Sequence, residues 1–272
     1  MFRLALIVAV LTAAPVAAHD YWLLPDTFTP KAGKGVVLNV RLHVGEAFKS
    51  DQEIAYAVKP LAKLELLTSQ GRAAADTITA PNAGDKPAHP VPLEHAGTSV
   101  LRIDRNWSAI TLKADKFTAY LKEEGLDHVI AAREKAGEAG ADGKERYRRC
   151  LKTIVQAGDA PGSEATHRFG QTLEIIPAKN PYSLKAGDEL PIMLEFDAKP
   201  LAGVKVTAWH RAAKDLTAVT ATTDKDGKVS LKLPKSGTWI VRTVYMRKAA
   251  ADKLAPDADW ESFWASVTFA VP

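Results

Sequence analysis

The sequence predicts a mostly β protein of two β-sandwich, immunoglobulin-like domains, the first of which carries an α-helical insertion. Short runs with alternating apolar residues recur along the chain, and Gly, Pro, Asn and Asp separate them. One region breaks this pattern: residues 115–156 have the apolar spacing of helices.

Residues 1–18 have the composition of an export signal. Arg3 provides the positive charge, residues 4–11 form a short apolar run, and residues 16–18 are small, as a cleavage site requires. The apolar run is too short to span a bilayer, and no later segment reaches that length. We therefore expect a periplasmic or secreted protein without a transmembrane segment, whose first mature residue is His19.

The strand pattern is clearest in residues 36–44, "VVLNVRLHV", where every second residue is apolar. Similar runs follow to the C-terminus, and Asp226-Gly227 is a typical hairpin turn. The other predicted strands are "KLELLT", "TSVLRID", "WSAITLKA", "TLEIIPA", "ELPIMLEF", "VKVTAWHR", "TAVTATT", "KVSLKL", "WIVRTVYM" and "ASVTFAV".

The helical insertion is predicted from two apolar faces, and glycine-rich segments divide it into two or three helices. A stretch of small residues, 157–166, resembles a linker. We therefore predict domains at 19–160 and 168–272. The residues of the two faces are Phe117, Tyr120 and Leu121, and Tyr147, Leu151, Ile154 and Val155.

Composition excludes several classes of function. The net charge of +4 is too mild to predict nucleic-acid binding, and the single cysteine, Cys150, excludes an internal disulfide. No GxSxG, HExxH, P-loop or GxGxxG motif occurs, so no hydrolase, kinase or dehydrogenase activity is predicted.

His19 would combine an α-amine and an imidazole once the signal is removed. The ordinary pKa of an α-amine, about 7.7–8.0, allows a metal to displace its proton near neutral pH. With a second imidazole, this pair forms a histidine brace, which suits copper(II) or nickel(II). The alternative is that His19 only marks where the signal ends.

His43 and His210 are the candidate second ligands. We expect residues 19–24 and 36–44 to pair antiparallel with Leu24 opposite Val36, which places His19 opposite Arg41 and near His43. His210 ends "VKVTAWH" in the second domain. Each histidine has an ordinary structural interpretation: an exposed strand residue for His43 and a partly buried one for His210.

Three segments resemble the DUF4198 family of exported bacterial proteins: "AHDYWLLPDTFTPKAGKGVVLNVRLHVGEAF", "YLKEEGLDHVIAAREKAGEAGADGKERYRRCLKTIVQAGD" and "ADWESFWASVTFAV". The resemblance implies tandem β-sandwiches with a helical insertion and a link to periplasmic nickel and cobalt uptake. It also matches the family's opening motif to residues 19–23, which favours His19 as a metal-facing residue.

We therefore expect a periplasmic protein that binds nickel, cobalt or copper through His19 with His43 or His210. It would present the metal to a membrane uptake component or a chaperone, without catalysis. Two alternatives are a cell-envelope binding or adhesion module that uses no metal, and a redox protein with a braced copper.

Overall fold

The computed structural model describes residues 19–73, 81–159, 161–211, 216–250 and 257–272. Over these residues the chain forms helices α1 (Ala114–Glu124) and α2 (Asp127–Lys135) and seventeen strands. The predicted export signal lies outside the described residues. The strands are β1 (Asp20–Pro25), β2 (Val37–Glu46), β3 (Lys49–Ile54), β4 (Leu61–Thr68), β5 (Gly71–Arg72), β6 (His89–Pro92), β7 (Gly97–Arg105), β8 (Ser108–Leu112), β9 (Gly143–Ala157), β10 (Leu173–Pro177), β11 (Glu189–Phe196), β12 (Lys199–Pro200), β13 (Lys205–His210), β14 (Thr217–Thr222), β15 (Lys228–Lys232), β16 (Gly237–Lys248) and β17 (Trp260–Val271).

The largest sheet has the order β14-β13-β16-β17-β9-β7-β4-β5, and β8 also pairs with β9. Two smaller sheets accompany it: β1-β2-β3 with β6 on β2, and β10-β11-β12 with β15 on β11. Strands β9 and β17 pair in parallel, and the other described pairs are antiparallel. The predicted mostly β, sandwich-type class is confirmed.

The apolar core connects all three sheets. Leu23, Ile103 and Leu190, one from each sheet, are fully buried members of the same apolar cluster. Burial of side chains this large stabilises the fold by about 1.5–3 kcal/mol each. No helix within the described ranges is long and apolar enough to cross a membrane.

The predicted helical insertion is correct only in its first part. The face predicted for α1 is buried, and the helix ends at Gly125, whose φ of 72° is left-handed. Residues 143–157, however, form strand β9 and not a helix. Both faces of β9 are largely buried, which hides the alternation that identifies a strand.

Strands β9 and β17 come from opposite sides of the predicted domain boundary near residue 160. They are nevertheless neighbours in one sheet, paired from Trp260 with Glu145 to Thr268 with Thr153. The two predicted units therefore share this sheet, and their division into two domains stays a prediction.

Strand β1 is fixed to the large sheet by side chains of β17. The Ser266 hydroxyl donates to the Tyr21 carbonyl at 2.9 Å, and the Thr268 hydroxyl donates to the Leu23 carbonyl at 2.7 Å. From β9, the Arg149 guanidinium lies 3.9 Å from the centroid of the Tyr21 ring and donates to the His19 carbonyl at 3.3 Å. These contacts position the first described residues of the chain.

A buried ion-pair cluster continues this attachment. Arg242 of β16 donates to Asp20 at 2.7 Å and to Glu124 of α1 at 2.8 Å, and all three side chains are about 5% exposed. Burial raises the pKa of Asp20, and Arg242 opposes this shift. One guanidinium thus neutralises two buried carboxylates and joins β1, β16 and α1.

A second buried carboxylate, Glu145, lies beneath α1. It accepts hydrogen bonds from Ser262 and from the Tyr120 hydroxyl. Burial raises the pKa of Glu145 to about 7.

Arg242→Met should lower the free energy of unfolding by about 3–5 kcal/mol, because it leaves Asp20 and Glu124 buried without a cation. Urea denaturation at neutral pH measures this loss. Lys225→Met is the control, since it breaks an ion pair of two exposed side chains and should cost below about 1 kcal/mol. A similar small loss for both variants would contradict the proposed role of the buried cluster.

Glu145→Gln should stabilise the protein relative to wild type as the pH rises from 4.5 through 7. In this window the folded wild type binds a proton that the unfolded chain releases, so its stability falls with rising pH. The gain should approach roughly 3 kcal/mol above pH 7 and vanish below pH 4.5. Urea denaturation over this pH range measures it, with exposed Glu189→Gln as the control for loss of a carboxylate beside a serine. A pH-independent difference would refute this prediction.

Candidate functional site

The candidate site is a cleft of about 1030 Å³ between the β1–β3 sheet and the end of β13. The turn from β2 to β3 forms one wall, and the residues at the C-terminal end of β13 form the other. The cleft thus lies beside the chain's first described residues. Its lining consists of Trp22, Leu24, Glu46, Ala47, Phe48, Lys49, Ser50, Asp51, His210, Arg211 and Leu216.

The predicted antiparallel pairing of β1 with β2 is confirmed, but the predicted register is wrong. Leu24 lies opposite Arg41 and not opposite Val36, and Trp22 lies opposite His43. Phe28, in the connection between the strands, is buried, and its carbonyl accepts a hydrogen bond from the Tyr182 hydroxyl at 2.8 Å. A connection of this length, unlike a two-residue turn, does not determine the register of the strands that it joins.

His19 lies at the start of β1 with a quarter of its side chain exposed. Its Nε2 is 3.1 Å from the Asp51 carboxylate. Its Nδ1 is buried and has no hydrogen-bond partner within the described residues. The carboxylate thus fixes the ring through Nε2 and leaves Nδ1 unpaired.

In His43, on β2, the other ring nitrogen, Nδ1, has the hydrogen-bond partner. Its Nδ1 lies 2.8 Å from the Ser50 hydroxyl, and its ring stacks on Trp22 with centroids 5.9 Å apart. Its Nε2 is buried without a partner in the described part of the chain. Burial lowers the pKa of His43, and the charge of Arg211 lowers it further, whereas Glu53 opposes this shift. The net lowering favours the neutral ring.

His210 packs against Trp239 at the end of β13, with ring centroids 5.0 Å apart. Its Nε2 donates to the Ser236 carbonyl at 2.8 Å. In the neutral ring, Nδ1 then carries the lone pair, and it too is buried without a partner among the described residues.

Of the three histidines, His210 is among the residues that line the cleft, and His19 and His43 each contact a lining residue. These two lining residues, Asp51 and Ser50, are consecutive in the chain. Metal-binding histidines usually have one ring nitrogen fixed in this way. In the ranges that the structure describes, however, no group of three or more His, Cys, Asp or Glu side chains is arranged to hold a metal ion.

Several polar residues of the cleft were not predictable from the sequence. Ser50 and Asp51 belong to β3, "KSDQEI", a polar strand that lacks apolar alternation. Arg211 follows β13 and approaches His43 only through the tertiary fold.

Two further titratable residues, His89 and Cys150, are buried in the protein interior. His89 is buried against Tyr56, and burial lowers its pKa to about 4. Cys150 is buried, and burial raises its thiol pKa to about 12, so it is a poor nucleophile. The aromatic residues near the C-terminus are buried in the core: Trp260, Phe263 and Trp264.

Among solved structures, the tetra-tandem repeat in the extending region of a large adhesion protein shares 12% identity with the chain. That alignment covers 93% of this chain and 49% of the other, so the chain spans about half its length, with a TM-score of 0.21. The D00-D0 domain of intimin shares 11% identity over 92% of this chain and 99% of that one, with a TM-score of 0.21. Dimeric latent PorU from Porphyromonas gingivalis shares 10% identity over 98% of this chain and 21% of that one, with a TM-score of 0.19. Scores this low carry no inference about function.

No curated protein sequence matches the chain. A family model described as "Domain of unknown function (DUF4198)" matches residues 16–247, most of the chain. The chain therefore belongs to the DUF4198 family, as the sequence resemblance predicted.

Proposed function

We propose that this protein is exported and binds a divalent transition metal at the cleft, through the amine and imidazole of His19 and one further imidazole. The observation that carries the proposal is a set of three buried ring nitrogens without a partner among the described residues: one on His210, which lines the cleft, and two on His19 and His43, which contact the lining residues Asp51 and Ser50. A buried polar atom without a partner costs about 1–3 kcal/mol, and a bound ion or ordered water removes that cost.

The orientation of His19 supports a chelate. Nδ1 is the ring nitrogen nearer the main chain, so it can close a small chelate ring with the residue's own amine. Asp51 occupies Nε2 and leaves Nδ1 unpaired. The chelate requires signal removal between Ala18 and His19, because the nitrogen of His19 is otherwise part of a peptide bond.

His43 is the preferred second ligand. Its hydrogen bond to Ser50 leaves Nε2 unpaired, and Ser50 adjoins the Asp51 that orients His19. His210 is the alternative, with Nδ1 unpaired. A site of two imidazoles and an amine needs no third side chain, so it is compatible with the lack of a larger ligand cluster in the described ranges.

The proposed ligands limit which metal ions the site would bind. Nitrogen ligands in a T-shaped arrangement suit copper(II) and nickel(II), and copper(II) has the higher intrinsic affinity. We propose the periplasm as the site of action, where such a protein could present its metal to a membrane uptake component or a chaperone.

Processed protein that begins at His19 should bind copper(II) or nickel(II) in equimolar amounts by isothermal titration calorimetry. One alanine added before His19 should weaken binding by more than the roughly 10–100-fold that follows loss of an outer-shell partner, because it removes the amine ligand. His43→Ala should cause a comparable loss if His43 is the second ligand, and His210→Ala if His210 is.

His95→Ala is the matched control, since His95 is exposed outside the cleft, and it should leave affinity unchanged. Equal affinity of the processed and extended proteins would overturn the proposal. A metal-independent envelope-binding role would then be the stronger candidate.

A further inference from the structure

Two arginines, Arg105 and Arg149, are neighbours in the large sheet. Strands β7 and β9 pair antiparallel with Asp104 opposite Cys150, so Arg105 and Arg149 are the next two residues that face each other. Side chains directly opposite in such a pair lie on the same face of the sheet, with Cβ atoms about 4.5–5.5 Å apart. Two like charges in this position destabilise the sheet unless a counter-charge neutralises them.

Two tyrosine rings complete what we call the arginine–tyrosine cluster: Arg105, Arg149, Tyr21 and Tyr147. The Arg149 guanidinium lies 3.9 Å from the centroid of the Tyr21 ring and 4.5 Å from that of the Tyr147 ring. The Arg105 guanidinium lies 5.5 Å from the Tyr21 centroid. Ring faces attract cations but supply no net negative charge. Arg105 and both tyrosines are partly exposed, so a ligand from solvent has access to the cluster.

The hydrogen-bonding capacity of both guanidiniums is largely unused. Among the described residues, neither Arg105 nor Arg149 forms an ion pair, and Arg105 forms no hydrogen bond. Arg149 is 7% exposed, and its buried Nε has no hydrogen-bond partner in the same part of the chain. A buried donor of a charged group that lacks an acceptor is costly, so an acceptor supplied by a ligand would stabilise the cluster.

The electrostatic surroundings show an excess of positive charge. Burial lowers the pKa of Arg105, Tyr21 opposes this shift, and Arg149 lowers the pKa further, with no described carboxylate contributing. Arg149 does act on two buried acids, Asp20 and Glu145. Both have other partners: Arg242 binds Asp20, and the hydroxyls of Ser262 and Tyr120 donate to Glu145.

We propose that the arginine–tyrosine cluster binds a doubly charged phosphate group, either inorganic phosphate or the phosphate of a small phosphomonoester. One dianion neutralises both guanidiniums, whereas a single carboxylate neutralises only one. The planar guanidinium of arginine also binds phosphate oxygens through two parallel hydrogen bonds. The site uses none of the proposed metal ligands and needs no metal. Its failure would therefore leave the proposed metal-binding function intact.

The test measures the midpoint of thermal unfolding, Tm, of processed protein without added metal. Inorganic phosphate, phenyl phosphate or acetate replaces chloride at constant ionic strength, and the dependence of Tm on anion concentration gives the affinity. Slightly alkaline buffer keeps the phosphates largely dianionic and His89 neutral, so loss of the nearby Arg105 does not change the charge of His89. Phosphate should raise Tm, and acetate should not.

Arg105→Gln should weaken phosphate binding by about tenfold or more, the loss expected for one charge-assisted contact. Without phosphate, its Tm should be no lower than that of wild type, because the repulsion between the two arginines is removed. Arg105→Lys, which keeps the charge but not the planar fork, should have intermediate affinity. Lys225→Gln is the control, since it removes the same charge from an exposed turn, and it should bind phosphate like wild type.

A response to both phosphates would identify the phosphate group itself as the ligand, and a response to phenyl phosphate alone would identify a phosphomonoester. Equal phosphate affinity of wild type and Arg105→Gln would overturn the proposal. A lower Tm of Arg105→Gln without phosphate, together with an unchanged response to phosphate, would show that Arg105 only supports Tyr21. Stabilisation by acetate as strong as that by phosphate would also refute a site for a dianion.

Discussion

The buried contact of Arg242 with Asp20 and Glu124 is the constraint on which the geometry of the cleft depends. It fixes the residue directly after His19 to strand β16 and helix α1, and Arg149 holds the His19 carbonyl from β9. The first described residues of the chain are therefore part of the folded core. A residue so placed can hold its imidazole beside Asp51, which a free terminal segment could not do at an acceptable entropic cost.

The same constraint explains why the two halves of the chain cannot be considered separately. Strand β17, near the C-terminus, pairs with β9 and also fixes β1 through hydroxyl groups. One wall of the cleft comes from the β2–β3 turn and the other from the end of β13. His43 on β2 and Arg211 after β13 thus approach each other from distant parts of the sequence.

Much of the fold was predictable because local periodicity matches burial. The alternation in residues 36–44 predicted β2, and the face of Phe117 and Leu121 predicted α1. Strand β9 was not predictable in this way, since Arg146 and Lys152 are buried in ion pairs and both faces of the strand are covered. The register of β1 was missed because the long connection between β1 and β2, unlike a two-residue turn, does not determine it. In the candidate site, the three histidines could be named from the sequence. The residues that orient them could not, because Ser50 and Asp51 lie in a polar strand without a pattern.

The central claim is that the amine and Nδ1 of His19 bind a metal together with one further imidazole. Electron paramagnetic resonance of processed protein with one equivalent of copper(II) tests it most directly, because the hyperfine pattern distinguishes nitrogen from oxygen ligands. The account predicts equatorial coordination by an amine and two imidazoles, with one imidazole signal lost in a variant of the second histidine. A spectrum dominated by oxygen ligands, or one that an extra residue before His19 leaves unchanged, would contradict it.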